Sequence, residues 1–450
     1  MGAKRVAVVG AGPAGLAAAW KLAGAGAAVT LFEARETAGG RMRSDELDGW
    51  VIDPAVQLFG STYRTLFRLA AEAGARDLLV RSPGRDALWR SGRPHAITYG
   101  SVASLVASTA LPAGLKLRLA TRYLPFLARH AHRLDANDPA STGGVALDDA
   151  SVSEWGRAAL GDEFIELLAY PLLGAYYGGT PERISAALYH ALAKVGTDVR
   201  VYAIAGGVGS LVRSMVDALL ARGVAWRPGA AVSRVAVLER GVGVESAAGG
   251  EEYDGAVVAT PAAAARALLV DQPELDGWIA RVESAPTATV ALMLEDAPRA
   301  DFFGLSFPRV EPPGETVVVA CVEHRKTHGL VPDGRGLLVA YPAPMIAAEA
   351  ASQEPQAVVD RLLPGLERIF PRLRGGLVRA RVYRMPEGYT LFYPGYLRHI
   401  RSFDDSWVPA RLALAGDYRV APTVEGALVS GVRAAKRVLG EPFTPVAARR

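Results

Sequence analysis

Apolar residues in this chain recur in two patterns. Short runs of β-branched and small residues bounded by glycine or polar residues suit strands buried on both faces, and longer breaker-free runs suit helices. Residues 6–9 form the first such strand, 16–23 a helix, and 29–32 a second strand that ends at Glu33. A helix is predicted over 209–222, strands around 224–226 and 232–238, and a buried strand over 256–259. Strand-like runs follow at 288–294, 316–322, 336–341 and 378–383, while 101–199 is mostly helical. A last buried strand, 412–415, leads into a helix that starts at Thr423 and carries an Ala and Gly face. The polar runs "LDANDPASTGGVALDDAS" and "EHRKTHG" read as surface loops.

Between the first strand and the first helix stand Gly10, Ala11, Gly12, Pro13, Ala14 and Gly15, a G-x-G-x-x-G spacing. The first glycine makes a tight turn, the second lets backbone approach a pyrophosphate, and the third lets helix and strand pack closely. Phosphates would sit at the helix N-terminus, where free N–H groups favour anions. Glu33, about 20 residues on, is placed to accept from a ribose hydroxyl. The pattern predicts a dinucleotide site that continues through Ala34 and Arg35.

The next run, "EARETAGGRMRS", contains Gly39, Gly40 and Arg41. It resembles the glutathione-reductase-type FAD fold of the flavin amine oxidase, protoporphyrinogen oxidase and carotenoid desaturase superfamily. The resemblance implies that Arg41 lies against the FAD pyrophosphate. At the other end, "LALAGDYRVAPTVEGALVSGVRAAKRV" is similar to the family's closing strand, turn and helix. It implies contacts to FAD from Gly416, Asp417, Thr423, Val424, Gly426 and Ala427, and from Val232 to the adenine. Val56, Gln57 and Leu58 fall where relatives pass the flavin.

The implied fold is α/β: a Rossmann-like FAD-binding domain assembled from discontinuous segments, with a second α+β substrate-binding lobe that includes a mostly helical subdomain. The expected division gives residues 1–80, 200–270 and 406–450 to the FAD-binding domain, 81–199 to the helical subdomain and 271–405 to a substrate-binding sheet lobe.

Residues 148–186 are similar to a protoporphyrinogen oxidase stretch, with Pro171, Tyr177, Gly179 and Ser185 in the family spacing and Ala175 in place of a glycine. The implied activity is FAD-dependent removal of hydride from a bulky, largely apolar, tetrapyrrole-like substrate. Polyene desaturation, amine oxidation and a redox-neutral role for the flavin stay open as alternatives. Against an amine substrate, "APTATVALMLE" carries no lysine, and Thr423 stands where amine oxidases place an aromatic residue. Phe59, Arg90, Tyr176, Tyr177, Tyr393 and Tyr396 are the candidate substrate contacts, with Arg93 an alternative to Arg90. No catalytic triad stands out, and His324 and His328 lack the intervening glutamate of a metal motif, so neither a catalytic side chain nor a metal site is assigned.

Composition narrows the partners. The chain has 450 residues, enough for two or three cores, and its 50 basic residues are nearly balanced by 46 acidic ones, which speaks against nucleic acid. Its single cysteine, Cys321, fits a reducing compartment and lies far in sequence from the C-terminal glycines, so FAD is expected to be held non-covalently. Neither a secretory signal nor a membrane span is expected. Residues 101–134 carry Lys116, Arg118, Arg122, Arg129 and Arg133 and no acid, a basic tract that suits either an anionic bilayer or solvated helices with a core-facing stripe, and that Pro112 and Pro125 should break into shorter pieces. A cytoplasmic enzyme, with peripheral contact to the inner membrane face left open, reoxidised by dioxygen or a quinone, is the resulting expectation.

Overall fold

The computed structural model describes residues 3–98, 100–269, 272–403, 406 and 409–441; the side chains of Ala175 and Tyr176 lie outside that description. Five parallel strands form the first sheet, in the order Ala225–Arg227, Ala28–Phe32, Arg5–Val9, Gly255–Val258 and Leu412–Leu414. Arg5–Val9 is central and buried on both sides. Val6 and Val8 enter one core and Ala7 and Val9 the opposite one, the period-two division of a covered parallel strand.

Helices Pro13–Gly24, Val208–Ala221 and Val424–Leu439 cover the first face. An antiparallel meander, Val232–Val237, Val242–Ser246 and Gly249–Tyr253, and the helix Ala262–Leu268 cover the second. The first and last of these helices touch backbone to backbone: a Cβ added at Gly431 would come within 1.9 Å of the Ala14 carbonyl oxygen. Glu425, at the start of the last helix, accepts from the amides of Thr65 (2.7 Å) and Leu66 (3.0 Å). It thereby caps the helix Arg64–Glu72 from a distant part of the chain.

A seven-stranded sheet runs in the order Leu377–Thr390, Ser284–Leu294, Gly336–Pro342, Val317–Val322, Gly304–Ser306, Arg85–Arg90 and Arg93–Thr98. Its neighbours are antiparallel except at Gly304–Ser306 beside Arg85–Arg90. Ala320 and Val322 face the helix Pro355–Ile369, whereas Val319 and Cys321 point to the other side, where Tyr341 and Tyr383 also lie. The second face of this sheet is the one turned toward the candidate site.

Between the two sheets' contributions to the sequence, helices Ala113–Arg118, Leu124–His130, Val152–Leu160, Tyr170–Tyr177 and Ala186–Val195 enclose a core that includes Leu115, Tyr123, Leu160 and Phe164. Pro112 precedes the first of these helices, and Pro125 follows the π-helical turn Leu119–Tyr123 that joins Ala113–Arg118 to Leu124–His130, so the missing N–H falls where the regular ladder is already interrupted. Among the described residues no helix is long and apolar enough to cross a membrane.

Three expectations change. The run 134–151 is not a free surface loop: Asp148 is fully buried, accepts from the Ser185 hydroxyl at 2.6 Å and from the Leu397 amide at 2.8 Å, and its carboxyl is raised by burial. The "EHRKTHG" turn is solvated only in part: Arg325 and His328 are exposed, but Glu323 and Lys326 are 0 % and 2 % exposed. Finally, Arg118 donates to the Leu160 carbonyl at 2.6 Å and Arg122 to the Ala159 carbonyl at 3.1 Å. These two cations close the C-terminus of Val152–Leu160 instead of standing free for lipid.

The Gly431 contact gives a direct test. Gly431→Ala forces backbone apart and should cost about 1–3 kcal/mol in urea unfolding. Gly24→Ala, whose Cβ would meet nothing within 4 Å, should change stability by less than about 1 kcal/mol. Equal midpoints for the two variants would show that the helix contact is not tight.

Candidate active site

The glycine loop follows the central strand. Gly10 has φ +100°, a conformation that L side chains rarely adopt, and its amide donates to the Phe32 carbonyl at 2.8 Å. A Cβ at Gly15 would lie 1.8 Å from the Gly10 oxygen, so this glycine permits the strand and helix to meet. A Cβ at Gly12 would meet nothing within 4 Å; that position faces open space at the mouth of the helix. Glu33 accepts from the Ala11 amide at 2.8 Å and the Arg35 amide at 3.1 Å, so its carboxylate ties the loop to the end of the second strand. Gly39 donates to the Ala11 carbonyl at 2.8 Å, which brings the G-G-R turn alongside.

A groove of about 790 Å³ runs from Glu33, Ala34, Arg35 and Val232 past Gly10, Gly12, Pro13 and Ala14 to Gly40, Arg41, Gly416 and Asp417. Arg41 sits at its far end, paired with Asp417 at 3.0 Å and donating to the Gly388 carbonyl at 2.9 Å. Burial alone would lower the Arg41 pKa, but Asp417 beside it holds it above its ordinary value. Pro13, Arg41, Asp417 and Ala427 line both this groove and a second cavity of about 170 Å³, so the two are adjoining.

The second cavity is walled by Val56, Gln57, Leu58, Thr423 and Val424, and by Tyr63, Tyr177, Tyr341, Tyr389 and Cys321. Burial raises the pKa of each of these tyrosines, Tyr389 to about 12, and of the thiol, so this part of the wall is uncharged near neutral pH. Gly178 is required here: a Cβ at that position would overlap the Tyr389 ring at 2.0 Å. Gln57 is held by two hydrogen bonds. Its Oε1 accepts from Lys326 Nζ at 2.5 Å, and its Nε2 donates to the Asp53 carbonyl at 2.8 Å.

The expected residues therefore divide. The loop, Glu33 and its neighbours, the G-G-R turn, Val232 and the C-terminal motif converge on one groove and cavity, with Ala11, Gly15, Gly39 and Gly426 shaping backbone behind the surface. Of the candidate substrate contacts, Tyr177 lines the cavity. Phe59 does not; it is fully buried in the core beneath the first sheet, edge-on to Tyr63. Tyr396 is buried with its hydroxyl donating to the Tyr418 carbonyl at 3.0 Å, and Tyr393 donates to the Arg281 carbonyl at 2.9 Å. Arg90 pairs with Glu311 at 3.3 Å on the far side of the seven-stranded sheet, and the Tyr176 side chain falls outside the described residues. Cys321, remote in sequence from the C-terminal helix, stands in the same wall as Thr423 and Val424.

Residues 13–439 match the model of the flavin-containing amine oxidoreductase family. The chain belongs to this family. It is a flavin-dependent oxidoreductase of the mixed α/β, parallel-sheet type that the family shares. It is similar to coproporphyrinogen III oxidase of Staphylococcus aureus (strain NCTC 8325 / PS 47), with 23% identity over 97% of this chain and 99% of that protein. The mitochondrial protoporphyrinogen oxidase of Nicotiana tabacum is 31% identical, but that match spans 41% of this chain and 34% of the tobacco protein. In structure it resembles cyclohexylamine oxidase from Brevibacterium oxydans IH-35A, with a TM-score of 0.74, 19% identity and coverage of 98% and 99% of the two chains. At that identity the likeness concerns the fold.

The residues present fit a flavin nucleotide. Gly12 leaves room where a phosphate would meet the helix N-terminus, and the groove has the volume of a ligand site. Sequence reading passed over Tyr63, Tyr341 and Tyr389 because nothing local marks which strand face or turn will point inward.

Cys321 reports on that wall. The thiolate is the reactive form and burial suppresses it. A disulfide reagent should therefore modify the native protein only at the rate of unfolding. Stoichiometric labelling within seconds would mean that the cavity wall is open to water.

Proposed function

We propose that the chain binds FAD non-covalently along the 790 Å³ groove, with the ring end directed into the tyrosine-lined cavity, and dehydrogenates an apolar substrate there. The observation that carries this reading is the continuity of groove and cavity through Pro13, Arg41, Asp417 and Ala427. Bound flavin supplies an acceptor for two electrons and a proton from a substrate C–H bond. The chain's own contribution is positioning: the helix N-terminus after Gly12 and the Arg41 guanidinium face anionic groups, and Glu33 meets the sugar hydroxyls. The buried tyrosines and aliphatic wall exclude water from the reacting bond. The protonated thiol of Cys321 supports a cofactor that is not linked through sulfur.

The full-length similarity to a coproporphyrinogen III oxidase supports a porphyrinogen as the substrate class. A smaller cyclic or aliphatic amine is the second reading, favoured by a cavity of about 170 Å³, below the roughly 300–1,000 Å³ typical of sites for drug-sized ligands. The sequence objections to an amine also soften in space. Tyr63 stands beside Thr423, and a buried lysine, Lys326, reaches the cavity wall from a different turn.

Anaerobic mixing of the yellow protein with porphyrinogens, polyenes and amines decides among these. Rapid bleaching by a porphyrinogen is expected, with slower or no bleaching by amines; the reverse order would overturn the substrate class. Product without bleaching would indicate a redox-neutral reaction. Yellow colour released on acid precipitation is the expected sign of non-covalent FAD. Reoxidation by dioxygen against a soluble quinone is read from the same sample.

The helical region also supports contact with an anionic membrane. Leu117 and Leu124 are 64% and 37% exposed beside Lys116 and an apolar cleft. Leu117→Glu with Leu124→Glu should abolish flotation with vesicles containing anionic lipid, whereas Arg122→Gln should alter it little. Equal flotation of all variants would exclude this face.

A further inference from the structure

Two carboxylates and one ammonium are enclosed behind the cavity wall. Lys326 Nζ lies 2.9 Å from Asp53 Oδ2 and 2.7 Å from Glu323 Oε2, and all three side chains are at most 1% exposed. If every group were ionised the cluster would carry one uncompensated negative charge in a medium where such charge is costly. The cluster therefore has a raised affinity for one proton. Hydrogen bonding indicates where it sits. Asp53 accepts from the Ser44 hydroxyl at 2.5 Å, the Val208 amide at 3.0 Å and Lys326, whereas among the described residues Glu323 has Lys326 alone to face its oxygens. The carboxylate with fewer donors facing it is the one that protonates.

The cluster touches the cavity. Lys326 donates to Gln57, whose side chain lines the wall, and Cys321 and Tyr341, which also line it, feel the charge of Glu323. Because an ammonium can only donate and a carbonyl only accept, the Gln57 amide is fixed with its oxygen toward Lys326 and its nitrogen toward the Asp53 carbonyl. The other groups facing the cluster are neutral near pH 7: Tyr341 and Cys321 are held protonated by burial. Asp86, which also acts on Cys321, is occupied with the Gly304 amide.

We propose that Glu323, with Asp53 and Lys326, is a proton-holding site coupled to the charge in the adjoining cavity, taking a proton from water when negative charge arrives there and releasing it when that charge leaves. This rests on the reading of the cavity as the flavin site. A hydride brings two electrons and one proton from the substrate carbon and adds one negative charge to the cavity; the proton on Glu323 comes separately from solvent and returns there on reoxidation. No further oxidant enters.

Burial pushes Glu323 up to about 7, with Lys326 opposing the rise. The native state thus holds a proton that the unfolded chain loses near the ordinary carboxyl range, so this group's contribution to stability falls as pH rises from about 4.5 to about 7. Thermal melts across that window need no flavin: wild type should lose stability relative to Glu323→Gln as the pH rises. Redox titration of the bound flavin tests the coupling. Above about pH 7, wild type should take up close to one more proton per two electrons than Glu323→Gln. Asp53→Asn, which leaves Glu323 paired one-to-one with Lys326, should also lose the excess and serves if the glutamine variant does not fold. Parallel melts together with equal proton uptake in wild type and variants would overturn the proposal. A wild type that binds no flavin would overturn the reading of the cavity, while the melts would still report on the proton.

Discussion

The approach of the last helix to the first, with no side chain between Gly431 and Ala14, is the contact on which the site depends. It lets Val424–Leu439 lie against Pro13–Gly24, so that the segment carrying Gly416 and Asp417 arrives beside the glycine loop. Strand Leu412–Leu414 could pair with Gly255–Val258 without this contact, but the groove would then lack its far wall. Gly15 performs the same service locally, where only a missing Cβ admits the Gly10 carbonyl. Glu425 secures the arrangement from the side, since its carboxylate stays buried only while it satisfies two amides of Arg64–Glu72.

Much of the first lobe was legible because its information is local. A central strand covered on both faces must be apolar throughout, and a glycine spacing that permits two backbone approaches has few other uses. Residues 5–33 therefore fold as read, and the later strands at 255–258 and 412–414 were found by the same composition. The seven-stranded sheet was legible as strands but not as a wall. Whether Cys321 or Ala320 faces the cavity depends on which side the helix Pro355–Ile369 covers, and that helix is distant in sequence.

The misplaced residues share a cause. Phe59 and Tyr396 are aromatic and near recognisable motifs, yet each fills a core, where large rings contribute most of their burial energy. Tyr63, Tyr341 and Tyr389 face the cavity because a helix start, a strand parity and a glycine at 178 turn them there. The "EHRKTHG" run misled for an electrostatic reason. Charged residues in a short polar turn are normally solvated, and the exception requires partners; Asp53 and Gln57 are about 270 residues earlier, at separations of 273 and 269. No local pattern records such a pairing.

The distribution of charge around the cavity follows from burial. Its wall offers tyrosines and a thiol that burial keeps neutral, and its one lining carboxylate among the described residues, Asp417, is paired with Arg41 at the groove end. Solvent screens charge less in such a place than at the surface, so ionisable groups at its border interact more strongly with it than exposed ones would. A wall made only of aliphatic residues would exclude water equally well but could not answer a change of charge inside. The buried ammonium with two carboxylates can, because moving one proton changes its net charge without moving the backbone. The desolvation that makes such a cluster a poor source of stability is the same property that couples it to the cavity.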